Sequence, residues 1–563
     1  MDKVKIIALG GLDEDGKDLY IIEVNQSIFV VGAGFKYPTK LTPGIDFIIA
    51  DFSYLKENKN RIKAYILPKG KNNSLGAIPY IYKECPAPIY CTRFSKVTLT
   101  KFATQYEQVS DFNIHEINLP STMMIGGYSF TFFSTCASVP LSFGFALKTS
   151  LGNIVYSGDF IVEYSNEKYF RLDLNTLGKI AEDPTLVLLS ESCNASKSGY
   201  CSPAHKLYPF FLKAFNEAPG RCFVALLNDN LYHIQEFFKA CNECHKKVCF
   251  YDAKSKEVYD IQGYSDDFFQ KINIVSIDDI LRTKEQELVI LMDDVDDDLY
   301  DKISLLANGE NEAKQVRINE SDTFILGVAP SDSDEVIATS TIDEIYKTGC
   351  NVKYVRKKDL NKMHACEEDL KMLISLLKPK YYFPIEGYYV NLLQNAKIAY
   401  DMQIGLSHNN IFLLDNGQSL IIDENGSATL DFNTDNMHPV VGDVMIDGIG
   451  VGDVVNEIIS DRTRLSDDGV VVLGCAISTK ERKIICGPDV QMRGFLFLKD
   501  KDADNIIKEV TQIYVSNINE WLSKTKDFDN NQIEFKVRDL ITKFIKKTLN
   551  REPVIRPNII VLP

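Results

Sequence analysis

No stretch of the 563 residues approaches the roughly 20 uninterrupted apolar residues of a membrane span. No signal-peptide pattern precedes the strand-like start Lys3-Val4-Lys5-Ile6-Ile7. The expectation is a soluble, cytoplasmic protein. A surplus of basic residues is also missing: 62 Lys and Arg against 78 Asp and Glu give a net charge of −16. That excludes a general nucleic-acid coat protein, because phosphate binding rests on clustered Lys and Arg, although a local basic groove stays open. A disulfide framework is lacking as well. The 13 cysteines are odd in number and scattered through predicted strands and helices, the pattern of reduced, buried thiols. The one dense run, Cys241, Cys244, His245 and Cys249, lacks finger-like ligand spacing and joins a helix to a strand. It reads as a turn, not a zinc knuckle.

Hydrophobic residues make up 45% and charged residues 25%, an ordinary globular mixture, and the length calls for two to four folding units. Residues 3 to about 200 alternate short β runs (Lys5–Leu9, Leu19–Val24, Ile28–Val31, Ala64–Leu67, Ser129–Phe133, Phe143–Lys148, Ile154–Ser157, Leu186–Leu189) with helical patches at Leu75–Lys83 and Ser95–Gln105. This predicts layered sheets with outer helices. From 203 to 360 a helix (Ala204–Asn216) and a strand (Cys222–Leu226) begin a regular α/β rhythm. It continues through Val248–Tyr251, Glu287–Met292, Thr323–Val328, the helix Glu335–Thr348 and the strand Asn351–Tyr354, as in a doubly wound domain. The acidic stretch 293–320 reads as a solvated loop or helix surface. A helix (Glu367–Leu377) leads into Tyr381–Ile385, and short strands run to about 430. Residues 431–458 form a linker with an extended segment. A small α/β module follows: strands Val470–Ile477, Lys483–Cys486 and Gly494–Phe497, helices Ala503–Lys524 and Gln532–Leu549, and a last strand Asn558–Leu562.

Several tempting motifs fail. Gly10-Gly11 with Gly16 lacks the G-x-G-x-x-G spacing and a helix directly after it. Ser192 is in no G-x-S-x-G elbow, and no Ser-His-Asp order is present.

The segments ALGGLDEDGKDLYIIEV, IFVVGAGFKYP, GIDFIIADFSYLKENKNRIKAYIL and LGAIPY, with YSGDF (156–160), LLSESCNA (188–195), LYHIQ (231–235) and HACEEDLKMLISLLKPKYYFPIEG (364–387), resemble the ribonuclease J family. So do LSDDGVVVL, CGPDVQMRGF and REPVIRPNIIV near the C-terminus. The resemblance runs through the whole chain in order. It implies an α/β fold: a metallo-β-lactamase αββα sandwich with an inserted doubly wound β-CASP domain and a small C-terminal α/β domain. The sandwich would occupy 1–202 and 361–430, the β-CASP domain 203–360, the linker 431–458 and an oligomerisation domain 459–563.

The resemblance also implies a two-metal hydrolase, usually of zinc or manganese, whose His and Asp ligands activate water to cut RNA. The motif positions depart from that pattern. The H-x-H-x-D-H signature falls on Pro68-Lys69-Gly70-Lys71-Asn72-Asn73-Ser74, so its ligands become Lys69, Lys71, Asn73 and Ser74. The first aspartate falls at Gly32, and two later histidines fall at Ala137 and Glu386. Of these ligands only Asp159 survives, and one β-CASP histidine is kept, as His364. A protonated lysine has no lone pair for a metal and repels a dication, so the loop is expected to favour anions. Asp159 and Glu386 alone would make a weak magnesium site at best. The serine-rich phosphate turn reads Gly327-Val328-Ala329-Pro330, and a further motif reads Leu360-Asn361-Lys362-Met363-His364. Lys69, Lys71 and Lys362 are then candidate RNA contacts, against the simpler reading of a solvated lysine loop. Asp159 could equally cap a turn, and His364 a helix start. Arg493, Arg551 and Arg556 suit an interface as well as RNA.

These readings predict no catalytic residues, no bound metal and no cofactor. The function expected is a non-catalytic ribonuclease J-like subunit, homo- or hetero-oligomeric through its C-terminal domain. It would assemble with an active ribonuclease J paralogue in RNA processing, rRNA maturation and mRNA decay. The alternatives are a weak metal-dependent exo- or endoribonuclease and a stand-alone RNA-binding scaffold.

Overall fold

The computed structural model describes the chain apart from residues 40–41, 106–110, 165–166, 254, 257–271, 312, 314–315, 332–333, 432–439, 449, 452–455, 495–499, 525–529 and 563. Two compact units result, one of residues 1–36 and 49–444, the other of 37–48 and 445–563.

In the first unit an eight-stranded and a six-stranded sheet stack face to face. The strands Val4–Gly10, Leu19–Val24, Ser27–Val31 and Ile62–Leu67 belong to the first sheet, and Tyr128–Ser134, Phe143–Thr149, Gly152–Tyr156, Thr185–Glu191 and Tyr381–Ile385 to the second. Side chains alternate across a strand, so Ile6, Tyr20, Ile22, Phe29 and Ile66 of one sheet meet Phe130, Phe132, Phe145, Tyr156 and Leu189 of the other. The opposite side of the second sheet offers Phe133, Ala146, Val155, Leu188 and Tyr382 to the helices Leu174–Ile180, Glu367–Leu377 and Tyr389–Asp401. Helix, sheet, sheet and helix in this order form the αββα sandwich.

Inserted between the two parts of the sandwich is an all-parallel six-stranded sheet. Its strands Asn273–Ile274, Lys247–Phe250, Leu288–Asp294, Cys222–Leu227, Thr323–Leu326 and Asn351–Tyr354 lie in that spatial order. One face packs on Phe211, Phe215, Tyr232 and Phe237, the other on Leu299, Tyr300, Ile303 and Ile345, so helices cover both sides as in a doubly wound domain. The second unit holds a three-stranded sheet ordered Lys483–Arg493, Val470–Ser478, Val554–Leu562. Helices Asp500–Lys524 and Asn530–Leu549 cover it through Val510, Tyr514, Ile518 and Leu522 and through Ile533, Val537, Ile541 and Ile545, rows at the i, i+4 spacing of one helix face.

Several predicted elements need correction. The helix expected over Leu75–Lys83 is two, Asn72–Leu75 and Ile78–Glu84, and Pro79 opens the second. The helix expected from Ala204 starts at Tyr208, where Pro209 fits the first turn. Strand Lys483–Arg493 runs well past Cys486, and most of the strand expected at Gly494–Phe497 lies outside the described residues, as does much of the linker. The acidic run is not all solvated. Asp293 and Asp294 end a buried parallel strand, Asp294 pairs with Lys302 at 2.7 Å, and burial pushes Asp293 up to about 6. A charge run reads as surface only until a central strand carries its first residues inward. Cys241 and Cys249 are buried free thiols and form no ligand group with His245 among the described residues. No helix among the described residues is long and apolar enough to cross a membrane.

Two buried imidazoles lock the insert to the loop before it. His233 Nε2 lies 2.8 Å from the His205 carbonyl oxygen, and His205 Nε2 lies 3.3 Å from the Tyr232 hydroxyl. Burial pushes both down to about 4. An unfolded chain takes up protons near pH 6.5, which the folded one refuses until about pH 4. Stability is therefore expected to fall as pH drops through that window. His233→Gln should show a shallower fall in urea midpoints between pH 7 and 4.5, and an unchanged slope would refute the assignment.

Candidate functional site: a lysine inside a carboxylate cage

The loop Pro68–Ser74 leaves strand Ile62–Leu67 and is held by main chain on three sides. Asp18 N–H donates to the Asn73 carbonyl at 3.1 Å, Ala33 N–H to Ser74 at 2.7 Å and Phe143 N–H to Pro68 at 3.0 Å. The approach is so close that a Cβ on Gly34 would come within 1.5 Å of the Asn73 oxygen. Pinned this way, the loop turns the Lys69 side chain inward, and the residue is only 2% exposed.

Three carboxylates meet it there. Lys69 Nζ donates to Asp159 Oδ1 at 2.7 Å and to Glu386 Oε2 at 3.1 Å, and lies 3.3 Å from Asp18 Oδ2. Asp18 precedes strand Leu19–Val24, Asp159 follows Gly152–Tyr156 and Glu386 follows Tyr381–Ile385, so the cage is assembled from strand ends of both sheets. The ammonium gives protons to Asp159 and Glu386, while Asp18 Oδ2 is met by its charge without a hydrogen bond. The Tyr156 hydroxyl donates to the other oxygen of Glu386 at 2.8 Å. Glu386 is held at φ 57°, a left-handed conformation uncommon outside glycine and frequent at functional sites.

Burial alone would discharge the lysine, but Asp159, Glu386 and Asp18 outweigh it and hold its ammonium well above the usual lysine range. Against burial, Lys69 and His364 keep Asp159 well below the carboxylate range. Burial pushes Asp18 up to about 6 and Glu386 well above its ordinary value, with neighbouring carboxylates adding to both shifts.

Several sequence expectations are corrected here. Lys69 is neither solvated nor free to meet an anion; it is the cation of an acidic pocket. Lys71, 19% exposed, pairs with Asp229 Oδ2 at 2.7 Å and donates to Ser138 at 3.3 Å. Lys362 alone of the three lysines is exposed. Asp159 caps no turn, because its carboxylate serves Lys69. His364 caps no helix: helix Glu367–Leu377 is capped by Cys366 and Asp369, while His364 Nδ1 lies 2.6 Å from Glu191 Oε2. Glu191 is buried, and its other oxygen accepts from Phe160 N–H at 2.9 Å and Ala365 N–H at 3.0 Å. Cys193 Sγ lies within 4.8 Å of a donor nitrogen of the same imidazole. Of the remaining motif positions, Ser74 and Ala137 are buried and offer no imidazole, and Asn73 serves the loop through its main chain. Val328 of the Gly327–Pro330 turn packs into the apolar core of the insert.

Sequence reasoning missed Asp18, Tyr156, Glu191 and Cys193. Position 32 shows why Asp18 was overlooked. Gly32 sits at φ +69°, and a Cβ there would stand 2.7 Å from the Asp18 carbonyl, so the carboxylate reaches the site from the neighbouring strand instead.

The donor set does not fit the dinuclear centre that the resemblance implies. The imidazoles at its motif positions are missing, and the Lys69 nitrogen takes up the acceptors that a metal would use. A dication would have to displace an ammonium bound to three carboxylates.

Residues 457–562 match the model of the ribonuclease J C-terminal domain. The chain is 29% identical over 558 residues to a Ribonuclease J 2 of Staphylococcus epidermidis, covering 98% of this chain and 97% of that one. It is likewise 29% identical over 557 residues to a Ribonuclease J 2 of Staphylococcus aureus, with the same coverage. The chain is thus similar over nearly its whole length to ribonucleases J, and its C-terminal segment matches that family's C-terminal domain. A crystal structure of a protein of unknown function from Enterococcus faecalis V583 matches 74% of the chain and all of its own, with a TM-score of 0.51 at 14% identity, a likeness of fold alone.

In this chain the caged lysine is expected to be a stability element. Removing one partner of a buried ion pair costs about 3–5 kcal/mol, so Lys69→Met should lower urea stability by that order. The loss should deepen as pH rises from 5 to 8. Carboxylates without their cation have raised folded-state pKa values, and their stability contribution disappears as pH climbs through them. Adding Asp159→Asn and Glu386→Gln should recover much of it. A Lys69→Met protein as stable as wild type at pH 8 would rule the cage out.

Proposed function

We propose that this chain is a non-catalytic ribonuclease J-like subunit that assembles with an active ribonuclease J and supports RNA processing and mRNA decay in the cytoplasm. The observation that carries the reading is the Lys69 ammonium among Asp18, Asp159 and Glu386, a covalently attached cation where metal ligands would be needed. Water activation in a two-metal hydrolase depends on metal charge and open coordination positions, and an ammonium supplies neither. The match of residues 457–562 to the C-terminal domain supports retention of an assembly role beside the altered site. The names of the staphylococcal relatives support an RNA-related role.

Purifying the tagged protein from its own cells, with native mass measurement, tests the assembly. A sister ribonuclease J with intact motif histidines is expected at stoichiometric levels. Homo-oligomers alone would overturn the partner reading. Incubated by itself with RNA and zinc or manganese, the chain should release no product above the level of a Lys69→Met control. Lys362, exposed three residues before Ala365, is proposed as the remaining RNA contact. Lys362→Glu should weaken RNA binding by the complex and reduce its log–log salt slope by about 1, with assembly unchanged.

A further inference from the structure

A second cluster of metal-ligating side chains stands apart from the positions of the two-metal signature. Glu191 is the last residue of strand Thr185–Glu191, Cys193 lies two residues on, and His364 lies just before helix Glu367–Leu377. One donor atom from each, a carboxylate oxygen, a thiol sulfur and an imidazole nitrogen, falls within 4.8 Å of the other two. We propose that Cys193 and His364, oriented by Glu191, form a mononuclear site for a thiophilic divalent cation such as zinc.

The geometry and the donor chemistry argue together. A thiol sulfur and an imidazole nitrogen from separate side chains are donors that zinc accepts, and a two-residue pair leaves positions for water. Glu191 is immobilised by two main-chain N–H groups on one oxygen and engages His364 Nδ1 with the other at 2.6 Å. A carboxylate behind an imidazole is the outer-shell partner that metal-bound histidines use to fix ring orientation. Cys193 is only half-buried and His364 is 19% exposed, so an ion has a way in. The Cys193 main chain is fixed by Asn391, whose Nδ2 donates to its carbonyl at 3.2 Å, and Cys193 Sγ lies 3.8 Å from the Glu386 carbonyl oxygen. The Lys69 charge nearby does not forbid a second cation, because three carboxylates already surround it. The site does not depend on whether the chain cuts RNA or assembles with a partner.

Cobalt(II) titration of the full-length protein, followed by absorption, is the test. Thiolate-to-cobalt charge-transfer absorption should appear and saturate near one equivalent, and zinc should displace it. Cys193→Ser should abolish that absorption, and Glu191→Gln should weaken binding by about 10–100-fold, as outer-shell losses do. Cys486 is exposed and Cys244 partly so, so alkylation mapped by peptide mass in the unaltered protein is the companion measurement. Zinc should protect Cys193 and leave Cys486 reactive. Absence of the charge-transfer absorption, its survival in Cys193→Ser, or alkylation of Cys193 undiminished by saturating zinc would each overturn the proposal.

Discussion

An ammonium group buried beside three carboxylates is the constraint around which this site is built. Charges are costly to remove from water, and the cost is recovered only where each partner is met by an opposite charge or a hydrogen bond. Lys69 meets that condition on three sides, with Asp18, Asp159 and Glu386 arriving from different strands. None of the four could be buried there singly. The cage consequently ties together the pinned loop Pro68–Ser74 and the ends of strands in both sheets of the sandwich, and it sets the charge and the protonation of everything near it.

A divalent ion in such a place is exchangeable and Lewis-acidic, with open positions for water and phosphate. A lysine is neither exchangeable nor Lewis-acidic. On the proposed reading, a lysine there keeps the architecture, because the carboxylates still find a cation, without the chemistry that a divalent ion supplies. The neighbouring Glu191–His364 pair has its own support: two main-chain N–H groups hold the carboxylate whatever stands at position 69.

Much of the architecture was legible from residue patterns. Strands Leu19–Val24 and Tyr381–Ile385 and helix Glu367–Leu377 lie where apolar periodicity placed them, because each buries at least one face and carries the period of its kind. Errors fell where local chemistry competes with periodicity, at Pro79 and Pro209, and where a charge run entered a central strand at Asp293 and Asp294. The site was half legible. Resemblance pointed to Lys69, Asp159, His364 and Glu386 as the positions that matter, but a lysine in a polar loop reads as solvated when only its neighbours in sequence are seen.

The sequence by itself determined the order of elements and the α/β class, since these follow from periodicity and composition, and the resemblance marked the motif positions where histidines are not found. The tertiary structure decided what the replacements do. Asp18 is 51 positions from Lys69 in the chain and Glu386 more than three hundred, and no local pattern couples them. Only the closure of two sheets brings those strand ends within 3.3 Å of one nitrogen. Electrostatic energy depends on that separation in space, so the meaning of a lysine at position 69 is a property of the fold.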